Sequence, residues 1–119
     1  MQDFRELNVW RKAHDLTLLV YTFTKAFPQD ERFGLTSQMR RASSSICANL
    51  AEGCCRHTDK DFSRFVDYAL GSASEVEYFL LLANDLSYID ALDYEANRER
   101  ICEIKRMLTG LRNRLTNAN

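Results

Sequence analysis

The stretch from Lys60 to Leu86 carries two apolar stripes at helical spacing, where an ordinary surface helix carries one. Phe62, Val66, Ala69, Ala73, Val76, Leu80 and Ala83 step by four and three, which keeps side chains on one stripe of an α-helix. A second stripe, Phe65, Tyr68, Ser72, Glu75, Phe79, Leu82 and Leu86, follows the same rhythm one face around. A helix that is apolar over most of its girth has to be covered on several sides, by its own bundle, by another subunit, or by both. The chain is therefore expected to be a helical bundle that associates with copies of itself.

The rest of the sequence repeats the helical pattern. One proline and four glycines in 119 residues leave few breakers. Val9, Ala13, Leu16, Val20, Phe23 and Phe27 form a seam for a helix over about 8–26, with Asn8 as its cap and Pro28 as its end. Leu35, Met39, Ala42, Ile46, Asn49 and Gly53 form a seam for a second helix over about 36–53, capped by Thr36. The third is expected over about 59–86 behind Asp59. The fourth, over about 90–116, is capped by Asp90 and seamed by Tyr94, Ile101, Ile104, Leu108, Leu111 and Leu115, before a fraying Asn117–Asn119 tail. Short connectors make an all-α, up-down-up-down antiparallel four-helix bundle the economical fold, in one domain over 1–119. Leu18, Leu19, Leu81 and Leu82 fall off the main seams and are candidates for a subunit interface, unless a broad single-chain core takes them up.

Composition narrows the function classes. Hydrophobic residues at 45% and charged residues at 28% are globular values, neither disordered nor membrane-spanning. The longest apolar run, around Phe79–Ala83, is too short to cross a bilayer, and the amino terminus lacks the order of a secretory signal. A cytoplasmic location is expected, and Cys47, Cys54, Cys55 and Cys102 read as free thiols. Cys54–His57 has no second ligand pair at zinc-like spacing, so no metal is expected. Neither histidine follows a glutamate by three residues, as a di-iron bundle requires, and no phosphate loop or dinucleotide fingerprint is present. No nucleophile–base–orienter set accompanies Glu52 and Glu75. The expectation is a non-enzyme without cofactor or small-molecule substrate.

Polar residues inside the seams need partners. Glu75 and Ser72 interrupt the second stripe of helix three, and an unpaired carboxylate there would cost several kcal/mol. Arg41, Ser45, Asn49 and Glu52 lie along one stripe of helix two and can supply them. A structural polar cluster of Arg41 (or Arg40), Asn49, Glu52, Ser72 and Glu75 is expected. The net charge of −1 hides separation: bases concentrate before Asp67 and after Glu103, acids between. Salt-bridged solvated faces account for such a pattern, and so does a basic surface built by symmetry.

Several motifs resemble one family. They are Phe4–His14 (FRELNVWRKAH), Arg32–Ala42 (RFGLTSQMRRA), Ser45–Gly53 (SICANLAEG), Phe62–Phe65 (FSRF) and Ala69–Glu75 (ALGSASE). In this order they closely resemble the 23S ribosomal RNA intervening-sequence protein family, with Cys47 standing where that family usually has proline. The resemblance implies a four-helix bundle assembling as a ring, a homopentamer. Some relatives are encoded by insertions within ribosomal RNA genes. A related accessory protein of diversity-generating retroelements is a pentameric nucleic-acid binder working with a reverse transcriptase. Two functions are open at this point. The first is an oligomer binding RNA or another nucleic acid through Arg40, Arg56, Lys60, Arg64, Lys105, Arg106, Arg112 and Arg114 as phosphate contacts. The second is a protein-interaction scaffold whose docking face is the Leu18/Leu19 or Leu81/Leu82 surface.

Overall fold

Residues 2–117 are described by the computed structural model; Met1, Ala118 and Asn119, the last two within the expected frayed tail, lie outside them. Four helices, α1 (Asn8–Phe23), α2 (Leu35–Cys54), α3 (Asp59–Asp85) and α4 (Ala91–Asn117), carry the fold, and no strand occurs among the described residues. Short 3₁₀ turns at Phe4–Glu6, Thr24–Ala26 and Gln29–Glu31 fill the joints. The long axis of 48 Å is set by α3 and α4, each 27 residues and therefore about 40 Å long.

The helix ends depart from the simple capping expectation at three places. Asn8 is the first residue of α1 and not its cap; Leu7, in extended backbone, leads in from the 3₁₀ turn, and the Asn8 side chain accepts from Arg11. Thr36 lies inside the first turn of α2. The Glu31 carboxylate reaches over to accept from the Leu35 N–H at 3.1 Å. Thr58, not Asp59, caps α3 by accepting from the Asp61 N–H at 3.1 Å. Asp90 accepts from the Asp93 N–H at 2.8 Å at the start of α4, as its residue type favours. Helix α1 stops three residues early because residues 24–26 tighten into a 3₁₀ turn before Pro28.

Every helix contributes to one apolar core. The first stripe of α3 is buried throughout, and Phe65 and Ser72 of the second stripe are buried too. Tyr68, Glu75 and Leu86 of that stripe are exposed, while Phe79 and Leu82 are half-buried. On α2 the core position after Ile46 belongs to Leu50; Asn49, expected in the seam, sits half-buried at the edge. Gly53 does not end α2. It is buried in the last turn, where a Cβ would meet Phe62 Cδ1 at 2.7 Å and Phe65 Cβ at 3.0 Å, so glycine lets α2 and α3 close on each other. Across this interface Gly53 faces Phe62, Ser45 faces Ser72 and Arg41 faces Glu75.

A Schellman turn closes α3. Ser87 takes a left-handed φ of 63°, with Ser87 N–H donating to Asn84 O and Tyr88 N–H to Ala83 O. Tyr88 then packs on Phe27 at 5.4 Å between ring centroids and donates its hydroxyl to Glu31 at 2.9 Å. One carboxylate thus ties the α3–α4 turn to the start of α2 and holds the Phe27–Gly34 connector in place.

Candidate nucleic-acid interface

Five of the eight cations expected to contact phosphate, Arg56, Lys60, Arg64, Arg112 and Arg114, gather at the end of the molecule where α2 finishes and α3 begins, while Arg106 stands nearer the middle of α4. Arg56 and Arg64 flank Phe65, their guanidinium carbons 4.4 and 5.6 Å from its ring centroid. Phe65 is itself buried and supports both by cation–π contact. One turn further along α3, Asp67 pairs with Arg112 of α4. The last turns of α4 also meet the start of α1: Glu6, Leu7, Asn8 and Val9 share a shallow cleft with Arg106, Gly110 and Arg114. Lys60 is exposed at the head of α3.

Pairing sorts these cations. Arg56 bonds Glu52 at 3.1 Å, Arg64 bonds Asp61 at 3.2 Å, and Arg112 is held by Asp67. Arg56 is half-buried with its Nε enclosed, so it stands less free than its place in the sequence suggested. Among the described residues, no ion pair engages Lys60, Arg106 or Arg114. Lys105 lies apart from this group. Its ammonium bonds Glu77 at 2.7 Å, and that bond holds the Glu77 carboxyl below the usual carboxylate range. Arg40 is also elsewhere, near the α1–α2 connector: its Nε donates to Thr24 Oγ1 at 2.9 Å and Nη2 to Tyr21 O at 3.3 Å.

The expected polar cluster forms along the α2–α3 interface with one member diverted. Arg41 bonds Glu75 at 3.3 Å, Ser72 donates to Ser45 at 3.1 Å, and Asn49 donates to Ser45 O at 2.9 Å. Arg40 takes no part. Glu52 turns outward to Arg56, because one helical turn separates them on the exposed side of α2. The Arg41–Glu75 pair is itself half open to solvent, so it contributes within about 1 kcal/mol.

Leu18, Leu19 and Leu81 are 54%, 37% and 43% exposed. Leu82 is not a free surface residue; it is half-buried against the core, since α3 turns that side toward its neighbours. His14 stacks on Trp10 at 4.9 Å, within 8° of parallel. All four cysteines are free thiols, and burial pushes the Cys47 thiol up to about 11. Among the described residues no group of three or more His, Cys, Asp or Glu could hold a metal, and no helix is long and apolar enough to cross a membrane. Sequence reasoning passed over Lys25, Arg32 and Thr36, which line a basic cavity with Arg40. Their only signal in the sequence is a connector containing cations on both sides of Pro28.

A family model described as 23S rRNA-intervening sequence protein matches residues 5–110. No curated protein matches the chain. The fold is similar to the 1.70 Å crystal structure of a protein of unknown function from the S23 ribosomal protein family of Bacteroides thetaiotaomicron VPI-5482. That structure is 27% identical, with 87% of this chain and 96% of the other covered and a TM-score of 0.78.

Proposed function

The chain belongs to the 23S rRNA-intervening sequence protein family, and from that premise we propose that it is a non-enzymatic bundle that binds RNA through phosphate contacts. The observation that carries this reading is the gathering of unpaired Lys60 and Arg114 with Arg56, Arg64 and Arg112 at one end of a chain of net charge −1, with unpaired Arg106 further along α4. A chain with so little net charge gains no general affinity for polyanions, so any binding comes from local concentration of cations. The polar cluster of Arg41, Asn49, Ser72 and Glu75 acts as the register pin of the α2–α3 pair and not as an acid–base set.

The architecture proposed is an up-down-up-down antiparallel bundle in a single domain. Its support is the pairing order: residue numbers fall along α2 (Gly53, Ser45, Arg41) as they rise along α3 (Phe62, Ser72, Glu75). Exposed Leu18, Leu19 and Leu81 support assembly of identical copies into a ring, which would repeat the basic end around a symmetry axis. Free thiols fit a reducing cytoplasm.

Fluorescence anisotropy with a structured RNA across a salt series tests the proposal. Three to six phosphate contacts predict a log–log slope of about −3 to −5. Lys60→Gln, Arg106→Gln and Arg114→Gln should each weaken binding and flatten that slope by about one. RNA that fails to bind even at low salt would overturn the reading. The exposed leucines also favour a second reading, a docking face for a protein partner; nuclease-resistant capture of a partner, lost in Leu18→Lys, would distinguish it.

A further inference from the structure

We propose that the cavity between the end of α1, the Phe27–Gly34 connector and the start of α2 is a binding site for a phosphate group. Three cations, Lys25, Arg32 and Arg40, line a space of about 330 Å³ together with Thr24, Thr36 and Gln29, and no carboxylate lines it. That volume lies at the small end of ligand pockets. Among the described residues no ion pair engages any of the three cations. Glu31, next to Arg32 in the chain, has both oxygens committed, one to the Leu35 N–H and one to the Tyr88 hydroxyl. Asp30 is exposed and stands outside the lining.

The site is built before any anion arrives. Arg40 is held by Thr24 Oγ1 and Tyr21 O and lies over the Tyr21 ring at 4.8 Å, which fixes the guanidinium and leaves Nη1 for a ligand. Thr24 is 2% exposed and its hydroxyl is satisfied by Val20 O and Arg40. Thr36 also lines the cavity, and its hydroxyl, which is not enclosed by protein and makes no hydrogen bond to a described residue, is free to donate to an acceptor that enters. A phosphate oxygen fits this combination: a fixed guanidinium for charge-assisted bonds, a hydroxyl donor, and the two exposed cations Lys25 and Arg32. The phosphate could belong to an RNA backbone or to a small phosphorylated molecule, and the site stands independently of the RNA reading above.

Titration of the full chain with inorganic phosphate, followed by amide NMR at ionic strength matched with sodium chloride, tests the proposal. Saturable shifts are expected at residues 24–25, 29–32 and 35–36 and at the Arg40 side chain. Lys25→Gln and Arg32→Gln should each lose roughly tenfold in affinity, the loss of one charge-assisted hydrogen bond. Thr36→Val should lose severalfold with an unchanged unfolding midpoint, whereas Arg98→Gln, remote from the cavity, should lose nothing. Shifts no larger than those with chloride, or affinity indifferent to all three cavity variants, would overturn it. Adenosine monophosphate and a structured RNA identify the source. Parallel losses of phosphate and RNA binding in Arg32→Gln assign a backbone phosphate; loss of phosphate and adenosine monophosphate binding with RNA unaffected assigns a small molecule. A wild-type chain that binds phosphate but no RNA overturns the RNA reading alone.

Discussion

A methyl group added at Gly53 and one added at Gly71 should move stability in opposite directions. Both glycines lie within helices, and alanine is the better helix former by at most about 1 kcal/mol. At Gly71 the new Cβ meets nothing within 4 Å, so Gly71→Ala should stabilise by about that amount. At Gly53 it would meet Phe62 Cδ1 at 2.7 Å, Phe62 Cε1 at 3.1 Å and Phe65 Cβ at 3.0 Å. The Phe65 Cβ sits next to the α3 backbone and cannot swing away, and the Phe62 ring is itself buried. Overpacking of this kind costs about 1–3 kcal/mol, which outweighs the propensity gain. Gly53→Ala should therefore be neutral to about 2 kcal/mol less stable than wild type. The difference between the two variants, about 1–3 kcal/mol, isolates the steric cost because the propensity gain largely cancels. Urea denaturation at equal protein concentration measures it, and 2 kcal/mol corresponds to a midpoint separation on the order of 1 M. Because Phe65 carries Arg56 and Arg64, Gly53→Ala should also weaken RNA binding. Equal midpoints for the two variants would refute the close approach of α2 to α3.

Four further perturbations follow from the helix ends and titratable groups. Ser87→Gly should stabilise by about 0.5–1 kcal/mol, since a left-handed φ costs an L-residue more than glycine loses in chain entropy; a lower thermal midpoint would contradict the turn assignment. Thr58→Ala should cost about 1 kcal/mol by freeing the Asp61 N–H, read from the same denaturation curves, and an unchanged midpoint would count against the cap. Glu77 titrates below its ordinary value when folded because Lys105 bonds it, so the pair contributes stability at neutral pH and loses it as pH falls through that lowered value. The stability gap between wild type and Glu77→Gln should be within about 1 kcal/mol at pH 7 and close on acidification; a gap that widens in acid would reverse the sign. With iodoacetamide at pH 8, exposed Cys55 should alkylate first and Cys47, raised to about 11 by burial, only on unfolding; equal rates would refute the buried thiol.

How much was legible in the sequence differs between core and site. The four-three spacing of Val9, Ala13, Leu16 and Val20 located buried positions directly, as did the first stripe of α3. Residues three and four apart share a helix face whatever the rest of the chain does. The partner of Glu75 was legible for the same reason: Arg41 lies on the facing stripe of the adjacent helix. Glu52 was misplaced because Arg56, four residues on and just past the end of α2, was within reach, and a local partner needs no tertiary alignment. The caps at Asn8, Thr36 and Asp59 failed because several polar residues compete near each helix start, and the loop path selects among them.

Sequence by itself determined that this chain is helical, where its four helices turn their apolar faces, and which family it resembles. These are properties of neighbours within one or two helical turns. Tertiary structure alone decided which cations are neutralised from another helix and which converge without a partner. Arg112 is taken by Asp67 across a helix interface, while Lys25, Arg32 and Arg40 converge from three segments around a connector pinned by Tyr88 and Glu31. Coulomb interactions depend on distance in space, and the turns that set those distances leave no periodic trace in the chain.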